Sequence, residues 1–203
     1  MPKTMLVVSK TAGYRHDSIE IGVEAITAIA TDLDFEVIAT EDSSLLCGDN
    51  YDVVVFLNTT GNILNDKEQR KLKAFVESGG GFIGIHSAAD TEYDWPWYGE
   101  TLLGAWFVSH PPVSQATIQV VNTTHPSTAH LPPEWICTDE WYVYNWEPEN
   151  STVLMTVHGH PFAWCSLIGK GRSFYTGRGH TKESYTEDAF IAHIKSGLEW
   201  VSK

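Results

Sequence analysis

Short apolar runs alternate with amphipathic segments through the first half of the chain, and this alternation restricts the fold more than any other sequence feature. Residues 5–9, 35–39, 51–57 and 82–85 are predicted strands, and runs such as VVVFL at 53–57 are entirely apolar, as expected of strands covered on both faces. Apolar side chains recur at helical spacing between residues 19 and 33. This βαβ order predicts an α/β fold with a mostly parallel central sheet between helical layers.

Two sequence patterns predict where helices begin. Asp17 precedes Glu20 by three residues, and Asn65 precedes Glu68 by the same distance. This spacing is typical of a capping box, in which the first side chain accepts a backbone N–H and the second reaches back. We therefore expect Asp17 and Asn65 to cap helices, and the three glycines at 79–81 to end the second one.

The second half has a less regular pattern. It predicts a short helix from Trp95 through Leu103, strands at 116–121, 141–145 and 151–157, and a final helix from about Thr186. Residues 162–167 and 172–175 flank the turn signal IGKG at 168–171, which predicts a β-hairpin. No linker or repeat interrupts the chain, so we expect one domain over residues 1–203.

Charge and cysteine content narrow the classes of partner. The 203 residues contain 13 Lys and Arg against 26 Asp and Glu, a formal net charge of −13. This balance argues against nucleic acid and anionic membrane, since both attract basic surfaces. No apolar run approaches the roughly 20 residues of a membrane-spanning helix. Three cysteines without a CxxC pair favour a reduced, cytoplasmic protein; a homo-oligomer is compatible with the sequence.

Polar side chains follow several predicted strands, at the carboxyl ends where parallel α/β sheets bind ligands. His86 ends the fourth strand, and His180 follows the strand at 172–175. The convergence of three histidines and two arginines at one sheet edge is a stronger signal than any single motif. From their positions after strands, we expect substrate contacts from Arg15, His16, Asn58, Thr59, Ser87 and Arg178.

His86 occupies a strand-to-turn junction, GIHSA at 84–88, shaped like a nucleophile elbow that holds His in place of Ser or Cys. An imidazole there serves as a general base, a metal ligand or, rarely, a nucleophile; the alternative is a histidine that bonds buried backbone. His16, His86 and His180 together with a carboxylate would suit a divalent metal such as zinc, although no local motif such as HExxH supports this.

Asp139 and Glu140 are adjacent, so on a strand their side chains point to opposite faces and only one enters a site. We take His86, His180 and Glu140 as candidate catalytic residues. His110, fixed by the two prolines that follow it, and Trp97 are further candidates for substrate binding. Tryptophan rings mostly pack in cores, but they also stack on the apolar faces of sugars.

Five separated stretches together resemble the ThuA-like family, named for trehalose utilisation, over essentially the whole chain. They are GYRHDS at 13–18, GGGFIGIHSA at 79–88, LGA at 103–105 with HP at 110–111, DEWY at 139–142, and 169–181 from GKGR to GHT. The resemblance implies a flavodoxin-like three-layer sandwich of the class I glutamine amidotransferase-like type. It also implies a role in bacterial carbohydrate metabolism.

The chain departs from amidotransferases at the elbow. Those enzymes carry a cysteine there and a downstream His with a Glu. Here the elbow residue is His86, no cysteine lies near it in sequence, and Thr181 and Lys182 follow His180. Glutamine hydrolysis through a thioester is therefore not expected.

Two hypotheses remain open at the level of sequence. In the first, the chain is a hydrolase-like or metal-assisted enzyme that acts on a sugar or sugar derivative, with His86 and His180 as acid–base or metal-binding groups. In the second, it is a non-catalytic carbohydrate-binding or regulatory module on an amidotransferase-like fold. The small-molecule partner is a carbohydrate in both.

Overall fold

The computed structural model describes residues 2–48, 51–148 and 150–203. The helices are Ile19–Asp32 (α1), Asp66–Ser78 (α2) and Asp188–Val201 (α3), with 3₁₀ turns at Ser43–Cys47, His86–Asp90 and Lys182–Thr186 and a π-helical segment at Trp97–Leu103. The strands are Lys3–Val8 (β1), Phe35–Thr40 (β2), Val53–Leu57 (β3), Gly81–Ile85 (β4), Phe107–Ser109 (β5), Ser114–Val120 (β6), Glu134–Asp139 (β7), Val143–Tyr144 (β8), Thr152–Val157 (β9), His160–Ile168 (β10) and Gly171–Thr176 (β11).

Within the described residues, one mixed sheet of nine strands runs in the order β2-β1-β3-β4-β11-β10-β9-β6-β7. Strands β2, β1, β3, β4 and β11 run parallel to one another. The remaining strands continue from β11 as antiparallel neighbours. Four successive reversals give β7 the same direction as β11, so its carboxyl end reaches the edge where the parallel strands end.

Two apolar layers cover the sheet, as the α/β pattern predicts. Ile26 of α1 and Phe190 of α3 belong to the cluster on one face. Leu72 of α2 and Leu102 of the π-helical segment belong to the cluster on the other. The three-layer arrangement and the β10–β11 hairpin are confirmed, and a small second sheet pairs β5 with β8.

The two predicted capping patterns have different outcomes. Asn65 and Glu68 form the expected reciprocal capping box at the start of α2. The Asp17 cap is wrong: α1 is preceded by Ser18, whose side chain makes no capping hydrogen bond. Asp17 is instead exposed and pairs with Lys182 at 3.2 Å, because its carboxylate is drawn to a cation across the loop.

In the second half, one strand prediction needs correction and one strand of the main sheet was not predicted. The strand predicted at 141–145 shortens to β8 and lies in the small sheet, not the main one. Strand β7 was not predicted. Its buried side chains are Trp135, Cys137 and Asp139, and Ile136 on the opposite face is exposed, so the sequence does not alternate between apolar and polar residues as a half-buried strand usually does. No described helix has the length and apolar character needed to cross a bilayer.

His193 on α3 gives the fold a titratable group in its core. The ring is fully buried and packs on Phe174, with Nδ1 2.8 Å from the carbonyl oxygen of Ser127. Burial disfavours the imidazolium and lowers the pKa of His193 to about 4.

We predict that His193→Gln removes part of the acid sensitivity of folding. The pKa of this histidine is about 4 when folded and 6.5 in its ordinary range, so the unfolded chain binds a proton first. The stabilisation from neutral His193 is present above pH 6.5 and is lost as the pH falls towards 4. Between pH 7.5 and pH 5, wild type should lose roughly 2 kcal/mol more unfolding free energy than H193Q.

Urea unfolding of both proteins at the two pH values, in EDTA, measures this difference. The pKa of His16 is also lowered, but His16 is present in both proteins, so its contribution cancels in the difference between them. An equal loss in the two proteins would contradict a neutral buried His193.

Candidate functional site

A cavity of about 510 Å³ opens at the carboxyl ends of the parallel strands. This volume is in the usual range for small-molecule sites. The cavity combines aromatic rings with titratable groups, and its lining residues are Tyr14, His16, Asp90, Phe107, His110, Glu140, Tyr142 and His180. His86 is fully buried beneath them.

Four potential ligands of a metal ion converge at this cavity: His16, His86, Glu140 and His180. One nitrogen or oxygen from each lies within 4.8 Å of the others. The three imidazole rings meet edge to face, with centroids 4.9 to 5.3 Å apart. The residues come from four separate places in the sequence, so only the fold brings them together.

The backbone at His86 is strained in the way that an elbow requires. Its φ is +49°, in the left-handed region that non-glycine residues rarely adopt. Nδ1 lies 2.8 Å from the carbonyl oxygen of Gly177. A carbonyl only accepts, so Nδ1 carries a proton, and Nε2 lies 3.4 Å from Glu140 Oε2.

Glu140 is the centre of the charge arrangement. Its Oε2 lies 3.4 Å from His86 Nε2 and 3.2 Å from His180 Nδ1, and its Oε1 lies 3.0 Å from His110 Nδ1. Burial alone would raise the pKa of Glu140, but His180 and His86 outweigh it and hold that pKa well below the usual range. Glu140 in turn raises the pKa of His180 against the opposing effect of burial.

Two of these close contacts lack hydrogen-bond geometry. Both His86 Nε2 and His180 Nδ1 are buried, and neither has a hydrogen-bond partner among the described residues, although Glu140 is near both. Buried polar atoms without partners are rare and need an explanation such as an ion. Both residues belong to the group whose ligand atoms lie within 4.8 Å of one another, an arrangement that a bound cation would satisfy.

His16 is the neutral member of the cluster. Its Nδ1 is 3.3 Å from Ser87 Oγ. Burial, and then the neighbouring His86 and His180, lower the pKa of His16 to about 3. At neutral pH this imidazole is uncharged, so a nitrogen lone pair is available to a metal ion.

Asp139 fixes the loop that carries His180. Its carboxylate accepts the backbone N–H groups of Gly179 and His180, each at 3.1 Å, and the hydroxyl of Ser184 at 2.8 Å. Gly179 has a φ of +132°, and a Cβ there would meet Tyr185 Oη at 2.7 Å. As expected for adjacent positions, Glu140 enters the cavity and Asp139 faces away from it.

Both predicted arginine contacts lie outside the cavity. Arg178 is 1% exposed, pairs with Asp139 at 3.4 Å and with Glu187, and packs on the Trp135 ring at 4.5 Å. Arg15 is on the surface and pairs with Glu20 and Glu41, each at 2.8 Å. Local carboxylates hold both guanidinium groups, so neither is assigned to substrate binding.

Three further predicted contacts also lie outside the cavity lining. Trp97 packs beside Trp95, with Lys73 over its ring. Asn58 is buried behind the cluster, where its amide donates to Ser18 Oγ and to the Gly179 carbonyl. Thr59 is buried against Thr91. Of the three, Asn58 bonds directly to the loop that carries His180.

Asp90 lines the cavity and was missed from the sequence. It ends the 3₁₀ turn that His86 begins, so the same turn delivers both side chains. Its Oδ1 accepts from the Tyr93 hydroxyl at 2.6 Å. Burial raises the pKa of Asp90, although the Tyr93 hydrogen bond opposes it. The sequence pattern that could have pointed to Asp90 is an acidic residue four positions after the elbow histidine.

A family model described as ThuA, trehalose utilisation, matches residues 4–201. The chain belongs to the ThuA family. This assignment agrees with the five stretches that carried the resemblance, and the cavity of this ThuA chain is built largely from them. A comparison with curated proteins gives no match.

Solved structures share the fold of this ThuA chain. A ThuA-like protein from Bacteroides uniformis is 24% identical, with a TM-score of 0.80 over 98% of this chain and 91% of that one. Another from Parabacteroides merdae is 19% identical, with a TM-score of 0.84 over 100% and 90%. A β-galactosidase from Bacillus circulans sp. alkalophilus is 16% identical, with a TM-score of 0.62 over 99% of this chain but 30% of that one.

We predict that the two arginines differ sharply in their effect on stability. Arg178→Ala leaves the buried Asp139 carboxylate without its cation, and breaking a buried pair costs about 3–5 kcal/mol. Arg15→Ala removes only exposed ion pairs and should cost less than about 1 kcal/mol. Urea unfolding of both variants of this ThuA chain at one pH measures the contrast. Similar losses for the two would show that the Arg178 pairs are not structural.

Proposed function

We propose that this chain is a metal-dependent enzyme of carbohydrate utilisation that acts on a sugar or sugar derivative. One divalent transition metal would be held by His16, His86, His180 and Glu140. The observation that carries the proposal is the convergence of their four ligand atoms within 4.8 Å of one another. Two of these atoms are buried nitrogens without hydrogen-bond partners.

The donor set fits a metal such as zinc. Imidazole and carboxylate are ligands for zinc and its neighbours among the transition metals. His16 is neutral and Glu140 ionised at neutral pH, by the directions of their pKa shifts, as metal ligation requires. The Gly177 carbonyl orients His86 through Nδ1, which is the usual support for a metal-bound imidazole.

The bound metal would polarise a substrate oxygen and lower the pKa of a coordinated water. Residues of the chain then position the sugar and move protons. His110 reaches the cavity mouth and contacts Glu140. Phe107 and Tyr142 pack together and line the cavity, where aromatic faces can stack on the apolar face of a sugar ring.

Glutaminase chemistry is not part of the proposal. The elbow position holds His86, and the three free cysteines Cys47, Cys137 and Cys165 do not line the cavity. Burial raises the pKa of Cys137 to about 12 and that of Cys165 to about 11, so neither is an activated thiolate. Free cysteines also support the proposed cytoplasmic location.

A second candidate function is a non-catalytic carbohydrate-binding module. The observation that favours it is the same elbow, where an amidotransferase-like fold lacks its nucleophile. This alternative predicts saturable sugar binding without chemical change to the sugar.

We predict about one zinc ion per chain after loading and dialysis. Glu140→Gln keeps the shape but removes the charge, and His180→Asn removes one nitrogen; each should reduce the metal content at least tenfold. His160→Gln, a surface histidine whose side chain is 78% exposed, is the matched control and should retain the metal. Inductively coupled plasma mass spectrometry measures the ratio. Metal retained equally by all four proteins would exclude this site.

Catalysis is tested on a panel of mono- and disaccharides in D₂O. Proton NMR detects bond cleavage, isomerisation and exchange of carbon-bound protons alike. The proposal expects zinc-loaded wild type to change at least one sugar, and E140Q to lower that rate at least 100-fold. Sugar binding with no chemical change across the panel would favour the binding module.

A further inference from the structure

We propose that Asp90 is the acid–base residue of the cavity and that it exchanges a proton with the bound sugar. The inference rests on the proposed function. In the forward step the Oδ2–H bond of Asp90 breaks as an O–H bond forms on a sugar oxygen, and Asp90 becomes a carboxylate. Water returns the proton after the product leaves.

The first support is the position of Asp90. It and His86 stand at the two ends of one 3₁₀ turn, and the Asp90 carbonyl accepts the Gly61 N–H at 2.7 Å. Asp90 lines the same cavity as His16, Glu140 and His180 without belonging to the four-ligand cluster. It therefore borders the space where a substrate would bind.

The second support is the pair of acceptors around the Tyr93 hydroxyl. It lies 2.6 Å from Asp90 Oδ1 and 2.9 Å from the Phe107 carbonyl oxygen. A hydroxyl has one proton, so it can donate fully to only one of them. When Asp90 is ionised, Tyr93 donates to Oδ1; when Asp90 is protonated, Tyr93 can donate to Phe107. Both protonation states of Asp90 are thus accommodated without moving the backbone.

The third support is the environment of the carboxyl group. Among the described residues, the only hydrogen bond to the Asp90 carboxyl group is the one that Tyr93 donates to Oδ1, and Asp90 forms no ion pair, so Oδ2 has no protein partner. The titratable groups around this region are those of the cavity lining together with two neighbours of Asp90: Tyr14, His16, His110, Glu140, Tyr142, His180, His86 and Tyr93. Burial raises the pKa of Asp90 above its ordinary 3.8, towards the range in which a carboxyl group donates protons effectively.

Carbon-13 NMR of protein labelled at the aspartate Cγ tests the proposal without a known substrate. The Asp90 signal is identified by its absence in Asp90→Asn. In metal-free protein its midpoint should lie above the ordinary 3.8, and Tyr93→Phe should raise it further, because the carboxylate loses its donor. The control is Asp94, an exposed neighbour whose carboxylate accepts from the Asn62 amide. Asp94→Asn should leave the Asp90 midpoint unchanged. A midpoint near 3.8 that Y93F does not move would overturn the assignment.

Zinc addition separates this proposal from the proposed function. A metal in the same cavity should lower the Asp90 midpoint by favouring the carboxylate. A raised midpoint that zinc leaves unchanged would contradict the metal site while the acid–base assignment stands.

Turnover kinetics provide a second test of the Asp90 assignment. On any sugar that zinc-loaded wild type changes, D90N should lower kcat about 100-fold or more, with metal content unchanged, and D94N should not. A D90N enzyme within threefold of wild-type kcat would refute the role. If wild type changes no sugar on the panel, the acid–base role of Asp90 falls together with the proposed function, whatever the titration shows.

Discussion

The site depends on the hydrogen bonds that the Asp139 carboxylate accepts. Asp139 is the last residue of β7, the far strand of the antiparallel part of the sheet. Its carboxylate nevertheless holds the loop after β11, because it accepts the N–H groups of Gly179 and His180. It also neutralises Arg178 in the core. Because Glu140 is the next residue, this one anchor sets the distance between the Glu140 carboxylate and the His180 ring, and so brings the two parts of the sheet into one site.

The site concentrates groups that repel one another when charged alike. His16, His86 and His180 meet within a few ångströms, and burial keeps His16 neutral. Glu140 is the carboxylate they share. Such an arrangement is costly in a protein that uses it only for stability, since unpaired buried nitrogens lose water without gaining a partner. The proposed cation would give these nitrogens the partner that they lack.

The sequence was informative where chemistry follows backbone periodicity. Strand ends identified His16, His86 and His180, and residue alternation limited Asp139 and Glu140 to one cavity contact. Position after a strand did not distinguish a substrate contact from an ion pair: Arg15 pairs with Glu20 and Glu41 at the surface, and Arg178 pairs with Asp139 and Glu187 in the core. Asp90 was missed because a 3₁₀ turn has neither strand nor helix spacing, and its Tyr93 and Phe107 contacts depend on the fold.

The central claim is that one metal ion organises the four side chains His16, His86, Glu140 and His180. X-ray diffraction from zinc-loaded crystals, recorded on both sides of the zinc absorption edge, tests it most directly. The account predicts one anomalous peak per chain, with three imidazole nitrogens and a Glu140 oxygen at about 2.0–2.2 Å. The absence of a peak there, with the four side chains ordered around empty or water-filled space, would contradict it.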